Sequence, residues 1–391
     1  MKGHSVLSQS IRVADGDHDD IVYPAAIPFA LVHLACLGIL WSGVTWPALF
    51  LGAGLWAARM ILITAGYHRY FSHRTYRTSR AFQFVLAFLC QTSLQKGILW
   101  WAAKHRHHHK HSDTGADTHS PREHGFWFAH VGWIFARRRG VADYGLVHDL
   151  AAYPELVWLD RYRHLPGAAL AVVCLLIAGW PGLFVGFFLS TSVLFHSAFS
   201  INSLAHQFGN RRYATGDDSR NNWWLALLTM GEGWHNNHHY YQNSTRQGFR
   251  WYEIDVTFYV LKALSWTGIV WDLKAPPEEV IRGERRLSRV AIEKVARELV
   301  ATFSIESIIE SVQQARGERP TLPSLDELPA ELPDLEELRR RAQQMFVHTP
   351  SFEQIAERAR ELLADSVSAR LFREPPALGT SPEATRLASV P

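Results

Sequence analysis

The sequence predicts an all-α membrane protein with four transmembrane helices, a histidine-rich helical cap on their cytoplasmic side and a soluble helical tail. Three observations carry this. Four stretches are apolar and nearly free of charge, and roughly 20 such residues in a helix cross a bilayer. Seventeen of the 21 histidines fall between His68 and His239. Every Trp and Tyr lies at or before Trp271, so the last 120 of the 391 residues contain neither. With three Cys and a net charge of +3, the composition excludes a disulfide-stapled secreted domain, a disordered polyampholyte and a nucleic-acid protein, which would need a strongly basic face.

Residues 1–22 are polar and read as an N-terminal segment, not a signal peptide. From Tyr23 to Val44 there is no Asp, Glu, Lys or Arg, which predicts the first span. Trp46 and Pro47 mark a short turn. Ala48–Gly66, charged only at Arg59, returns the chain as a second span, with Trp41 and Trp46 where interfacial aromatics belong. Arg59 reads either as a functional charge or as one that snorkels or pairs inside the bundle. Ala81–Ala103, interrupted by Gln91, Gln95 and Lys96, predicts one embedded or interfacial amphipathic helix. A second apolar pair follows at 168–179 and 183–204, divided by Trp180, Pro181 and Gly182. Four crossings put both termini on one side, and the Lys and Arg gathered there make it cytoplasmic. Cys36, Cys90 and Cys174 sit singly in apolar surroundings and read as buried thiols.

The membrane domain is expected over residues 23–274. Residues 275–391 form a charged, Pro-punctuated tail with helices near 290–316, 335–346 and 351–372, where Ser351 and Gln354 match a capping box. The tail reads as a docking or regulatory appendage, or as a partly disordered one.

Four histidine groups follow the apolar segments: His68 and His73, then His105, His108 and His109, then His206 after Asn202, then His235, His238 and His239. A helix places positions i, i+3 and i+4 on one side, so the second and fourth groups each predict a three-pronged face. His68 and His73, five apart, are expected to straddle a helix end. Imidazole does not by itself choose among zinc, copper, nickel and iron, but nine ligands exceed the needs of one ion and predict two. Redox-capable iron suits oxygen chemistry, whereas zinc has none. His33, His130, His148 and His164 read as ordinary helix residues, and His107 and His111 as neighbours of the metal ligands.

HRYFSH at 68–73, HRHHH at 105–109, NSLAH at 202–206 and GEGWHNNHH at 231–239 resemble the integral-membrane fatty acyl desaturases of the stearoyl-CoA, delta-9 type. The resemblance spans about residues 23–274. It implies a diiron centre on His68, His73, His105, His108, His109, His206, His235, His238 and His239, with Asn202 reaching one iron through a water. Glu232 and Asp113 are candidates for orienting imidazoles. It also implies an oxygen-dependent reaction on a saturated acyl thioester, most simply an acyl-CoA, giving a cis double bond. Electrons would come from a separate ferredoxin or haem b protein fed by an NAD(P)H reductase. The sequence has no HPGG-type haem segment and no GxGxxG, so neither haem nor flavin is expected to be built in.

In the family a polar, charged set grips the CoA headgroup; Arg137 and Arg138 keep that basic character here, and they equally suit a positive-inside anchor. Ala103, Lys104, Lys96 and Phe199 depart from the pattern, which leaves an acyl-carrier thioester or a membrane lipid open as substrate. Trp56 and Met60, one turn apart and whole turns before His68, are expected to face a substrate tunnel and limit chain length, or simply to pack. Two other functions compete: a membrane hydroxylase or ketolase on a related centre, and a non-catalytic histidine-rich metal-binding or transport protein. A transporter would place its ligands within the spans near the bilayer midplane, whereas these lie at one face. The compact loops favour a bacterial inner membrane.

Overall fold

The computed structural model describes residues 23–136, 141–317, 332–345 and 351–371. Arg137 and Arg138 lie outside them. The chain divides into two compact units, 1–284 and 285–391.

In the first unit α1 (Tyr23–Ala35) continues through a tight turn at Cys36–Gly38 to Ser42. Thr45 Oγ1 then accepts the Ala48 amide and Pro47 occupies the first turn of α2 (Trp46–Leu62), the residue types that start helices. The helix does not stop at Leu62. It widens into a π-helix over Ile63–Ser72. A tiny antiparallel pair, β1 (Arg77–Thr78) with β2 (Val270–Trp271), ties the segment after it to a distant part of the chain.

The expected single helix over 81–103 is two, α3 (Arg80–Gln91) and α4 (Ile98–His111). Leu94 and Lys96 between them adopt φ of 56° and 67°, a left-handed backbone that a helix cannot contain. Asp160, in the helix Pro154–Arg161, starts the new helix: its Oδ1 accepts the Leu99 and Trp100 amides at 2.9 and 3.1 Å. Only glycine fits at position 97, because a Cβ there would lie 1.9 Å from that same oxygen.

After α5 (Phe126–His130) and α6 (Pro154–Arg161), α7 runs from Leu165 to Pro181 with a break inside it. Ala178 and Gly179 leave helical geometry, Gly179 at φ 61°. A Cβ on Gly182 would stand 2.3 Å from the Cys174 carbonyl oxygen, whereas eight residues of straight helix span about 12 Å. The chain therefore doubles back at 178–179 and returns through a π segment, Gly182–Leu189, into α8 (Ser190–Ser203).

Length and composition single out two helical runs able to cross a membrane, Trp46–Ser72 and Leu165–Ser203, while the first expected span appears as a shorter apolar helix over Ile27–Ser42. The count is two and not four because the first expected span falls short in length and the last two form one run with the reversal inside it. Leu40, Trp41, Phe50 and Leu176 point outward, 69–87% exposed, as apolar side chains do when the surrounding medium is lipid. Arg59 faces inward. Its guanidinium donates to Thr191 Oγ1 at 2.7 Å and Ser190 Oγ at 2.6 Å, pinning α2 to α8. Tyr67, Phe71, Leu86, Cys90, Ile98 and Ala102 form the core joining the π segment, α3 and α4.

The cap is completed by α9 (Trp223–Leu228), α10 (His235–Tyr240) and α11 (Val256–Trp266). The second unit holds α12 (Arg289–Val300), α13 (Ile305–Gly317), α14 (Leu335–Met345) and α15 (Phe352–Leu371). The expected helix over 290–316 is broken at 301–304. Val295, Leu299, Ile355, Ala359 and Leu363 are buried within this unit. Ser351 Oγ accepts the Leu287 amide at 3.1 Å, so its hydroxyl joins two segments of the tail.

Candidate metal centre

Four pieces of chain bring nine imidazoles together. His68 lies in the π-helix and His73 just past its end, where the wider turn lets the His73 amide donate to the His68 carbonyl at 3.2 Å. Their rings are 4.9 Å apart, so the helix end does fall between them. α4 carries His105, His108 and His109, the turn after α8 carries His206, and α10 carries the remaining three. The asparagines inside the last group are structural: Asn237 Nδ2 donates to Glu253 Oε2 and the Gln247 carbonyl, both at 2.9 Å. Asn236 Oδ1 accepts the amides of Arg212 and Tyr213. Both are fully buried and fix a six-residue helix too short to be stable by itself.

The imidazoles form two groups. His68, His73, His105, His109 and His238 make one, and His108, His206, His235 and His239 the other, each with ligand atoms within 4.8 Å of one another. The three-pronged faces expected on α4 and α10 are thus divided. Each helix gives its i and i+4 histidines to one group and its i+3 histidine to the other.

In the first group the Nε2 atoms form a chain: His68 to His238 at 2.9 Å, His238 to His109 at 2.9 Å, His109 to His105 at 2.9 Å and His105 to His73 at 2.8 Å. In the second, His206 and His235 meet through Nε2 at 3.0 Å, and His239 Nε2 is buried with no partner. The outward nitrogens meet carboxylates. Nδ1 of His68 lies 2.5 Å from Glu232, that of His108 2.8 Å from Asp117, that of His206 2.8 Å from Asp113 and that of His239 2.6 Å from Asp217. A carboxylate that takes the Nδ1 proton leaves Nε2 with its lone pair. Lone pairs that converge at such distances are satisfied by a cation among them, so the residues fit two metal ions.

Charge supports the same conclusion. Burial, reinforced by neighbouring imidazoles, drives His73, His105, His109, His235 and His238 well below the ordinary imidazole range, which keeps them neutral and able to bind metal. Burial also opposes charge on His206, but Asp113, with Asp217 and Asp117 behind it, outweighs burial and raises it to about 9. Burial alone would raise Asp113, Asp117 and Asp217; the histidine beside each prevails and holds it below the usual carboxylate range. Burial opposes charge on Glu232 as well, but His68 and Arg69, itself paired to Asp255 at 2.9 Å, together hold it low.

Glu232 and Asp113 stand where the sequence made them candidates. Asp117, Asp217 and Gln247, whose Nε2 is 3.2 Å from His68 Nδ1, went unrecognised. Asp117 follows Asp113 by four residues, directly after the second histidine group, and that proximity was the available signal. Asp217 and Gln247 are brought in by tertiary structure alone.

A cavity of about 450 Å³ reaches this centre, lined by His68, His105, His108, His235 and Asn202 together with Met60, Trp101, Phe195 and Phe199. It falls within the size of small-molecule sites. Met60 is on its wall. Trp56 is not; its indole donates to Ser197 Oγ on α8 at 3.2 Å. His107 Nε2 donates to the Ala116 carbonyl at 2.9 Å, outside both groups.

The model of the family described as fatty acid desaturase matches residues 40–266. This chain belongs to the fatty acid desaturase family. It is 36% identical over 262 residues to the sn-2 palmitoyl-lipid 9-desaturase of Nostoc sp., covering 65% of this chain and 91% of the relative. It is 36% identical over 259 residues to the sn-1 stearoyl-lipid 9-desaturase of Synechocystis sp., covering 64% and 79%. It is 35% identical over 254 residues to an acyl-CoA 5-desaturase of Anemone leveillei, covering 63% and 78%. The chain is therefore an oxidoreductase of lipid metabolism, and these relatives differ in both carrier and bond position.

Proposed function

We propose that this desaturase uses dioxygen to place a cis double bond, at the delta-9 position, in a saturated acyl chain carried as an acyl-CoA. The reading rests on one observation above all: two groups of inward-facing imidazole Nε2 atoms at the wall of an apolar cavity. His68, His73, His105, His109 and His238 would hold one iron. His108, His206, His235 and His239 would hold the other, with Asn202 beside it through a water. Bound there, the iron pair would supply the redox chemistry that activates dioxygen and removes two hydrogens from adjacent methylenes.

The chain's own residues do the rest. Glu232, Asp113, Asp117 and Asp217 fix ring orientation and tautomer. Phe195, Phe199, Met60 and Ile63 exclude water and hold a flexible alkyl chain against the centre, and which C–H bond is presented decides the product. Removing two hydrogens supplies two electrons, while reducing dioxygen to two waters needs four and two added protons. The remaining pair comes from a separate ferredoxin or haem b protein with its reductase. Arg137 and Arg138 are proposed at the CoA headgroup. The names of the relatives support acyl-lipid substrates as well, so the carrier is the first thing to test. We place the enzyme as a four-span protein of a bacterial inner membrane, with termini and metal centre in the cytoplasm.

Expression in a host deficient in unsaturated fatty acids, followed by lipid analysis, tests the proposal. New cis-monoenes support it. Hydroxy acids would instead make the protein a hydroxylase, and bound metal without any lipid change would make it a metal-binding protein. Purified protein given defined acyl-CoA, acyl-carrier and phospholipid substrates then identifies the carrier.

A further inference from the structure

The wall of the cavity carries polar atoms outside the two imidazole groups, although one of them, on His119, belongs to a residue grouped with His108 and Asp117. Trp133 Nε1 and His119 Nδ1 are both buried without a hydrogen-bond partner. Both residues line the same cavity, and their rings are 5.4 Å apart. Gln95 adds a third such group. Its Oε1 accepts from Trp101 Nε1 at 3.2 Å, which fixes the amide and leaves Nε2 without a partner, on the same cavity wall.

A buried donor left unpaired is costly, and native structures rarely keep one without a use. Here the Trp133 indole donor lies beside an imidazole nitrogen that also donates when its ring carries the proton on Nδ1, with the Gln95 amide donor on the same wall of an otherwise apolar chamber. Indole N–H can only donate. A fixed amide with its oxygen engaged can also only donate through its nitrogen. The missing partner is therefore an acceptor. An acyl chain is apolar along its length and carries one acceptor oxygen at its head, the ester or thioester carbonyl. The geometry points to Trp133 Nε1 and His119 Nδ1 as the pair that binds this carbonyl oxygen, using both of its lone pairs. Trp133 is itself held between Trp100, stacked at 6.4 Å, and Phe199, edge-on at 6.1 Å, so the position of its N–H is defined. Anchoring the carbonyl sets how many methylenes lie between it and the metal centre, which makes the pair a determinant of double-bond position.

This inference rests on the acyl-desaturase reading, and the test separates the two. Hexadecanoyl-CoA and its thioether analogue S-hexadecyl-CoA, which lacks the carbonyl oxygen, are compared for binding to the full-length enzyme by competition, without turnover. The same comparison is made with a diacyl phospholipid and its dialkyl ether. Wild type is expected to prefer the carbonyl form of its carrier by about tenfold. Trp133→Phe, which keeps the ring and removes the N–H, is expected to erase that preference while binding the ether form as before. In turnover, its product is expected to spread over neighbouring bond positions. Equal binding of the carbonyl and ether forms by wild type overturns the inference even if the variant does not fold. So does a Trp133→Phe enzyme that keeps both the preference and a single product isomer. If wild type yields no alkene at all, it is the desaturase reading that fails, and the binding comparison still decides whether a carbonyl is recognised.

Discussion

Asp217→Asn is the sharpest probe of the metal centre. Asp217 Oδ2 faces His239 Nδ1 at 2.6 Å, while Oδ1 accepts from the Ser219 amide at 3.1 Å and the Ser219 hydroxyl at 2.5 Å. The carboxylate is buried and accepts every bond it makes. An asparagine has one acceptor oxygen. If that oxygen stays with His239, the new NH2 faces the Ser219 donors; if it turns to Ser219, the NH2 faces His239. The second arrangement favours the tautomer with the proton on Nε2, where the metal should bind. Losing a charge-assisted hydrogen bond costs about 1.5–3 kcal/mol, which at about 1.4 kcal/mol per decade becomes roughly tenfold to hundredfold in metal affinity, matching what such outer partners typically contribute. The assay is chelator competition on detergent-purified protein, with circular dichroism to confirm folding. A folded Asp217→Asn protein that binds two metal ions as tightly as wild type would refute the reasoning.

The division of the histidines predicts that His108→Ala and His109→Ala each lower bound metal from two ions to one per chain and abolish turnover, measured by elemental analysis and product assay; a variant that keeps both ions or stays active counts against the assignment. Met60→Ala, on the cavity wall, should shift preference toward longer acyl chains across a chain-length ladder. Trp56→Ala should leave that preference alone and instead lower stability by about 2–5 kcal/mol, through lost packing and the lost bond to Ser197. Acid should unfold the metal-free protein early. His73, His105, His109, His235 and His238 have folded-state pKa values below their unfolded value near 6.5, so their contribution is complete above that pH. Each then loses about 1.4 kcal/mol per pH unit below it. His206, raised to about 9, works the other way: its contribution is complete below 6.5 and is lost as pH rises through 9. Denaturant titrations of metal-free protein from pH 5 to 8 test this, and stability that stays flat as pH falls below 6.5 would contradict it.

What the sequence made legible follows from where its information is local. The nine histidines announce themselves by spacing, and the apolar stretches by length. The break between α3 and α4 was hidden because its causes are not local: Asp160, some sixty residues on, caps the new helix, and Gly97 is required only because that carboxylate is there. Two of the four carboxylates on the imidazoles were legible for the same reason they were near, Asp113 beside one histidine group and Glu232 beside another. Asp217 reaches His239 from 22 residues away, and nothing in its neighbourhood marks it.

The division of each histidine triplet between two metal positions, in contrast, is a consequence of helix geometry that the one-face description conceals. At about 100° per residue, position i+4 stands only about 40° from i, while i+3 stands about 60° from i on the opposite side, and so about 100° from i+4. A triplet i, i+3, i+4 is therefore a pair plus an outlier. His105 and His109 are the pair on α4 and His235 and His239 the pair on α10; His108 and His238 are the outliers. Set two such helices across a pair of metals and the economical arrangement is reciprocal: each helix commits its pair to one ion and lends its outlier to the other, with His68 and His73 completing one set and His206 the other. Neither position is then built by a single helix, so a rotation of α4 or α10 disturbs both ions together. That coupling gives a physical reason why α10, only six residues long, is held by the buried amides of Asn236 and Asn237, and why the two residues between its histidines are ones that can bond the backbone around them.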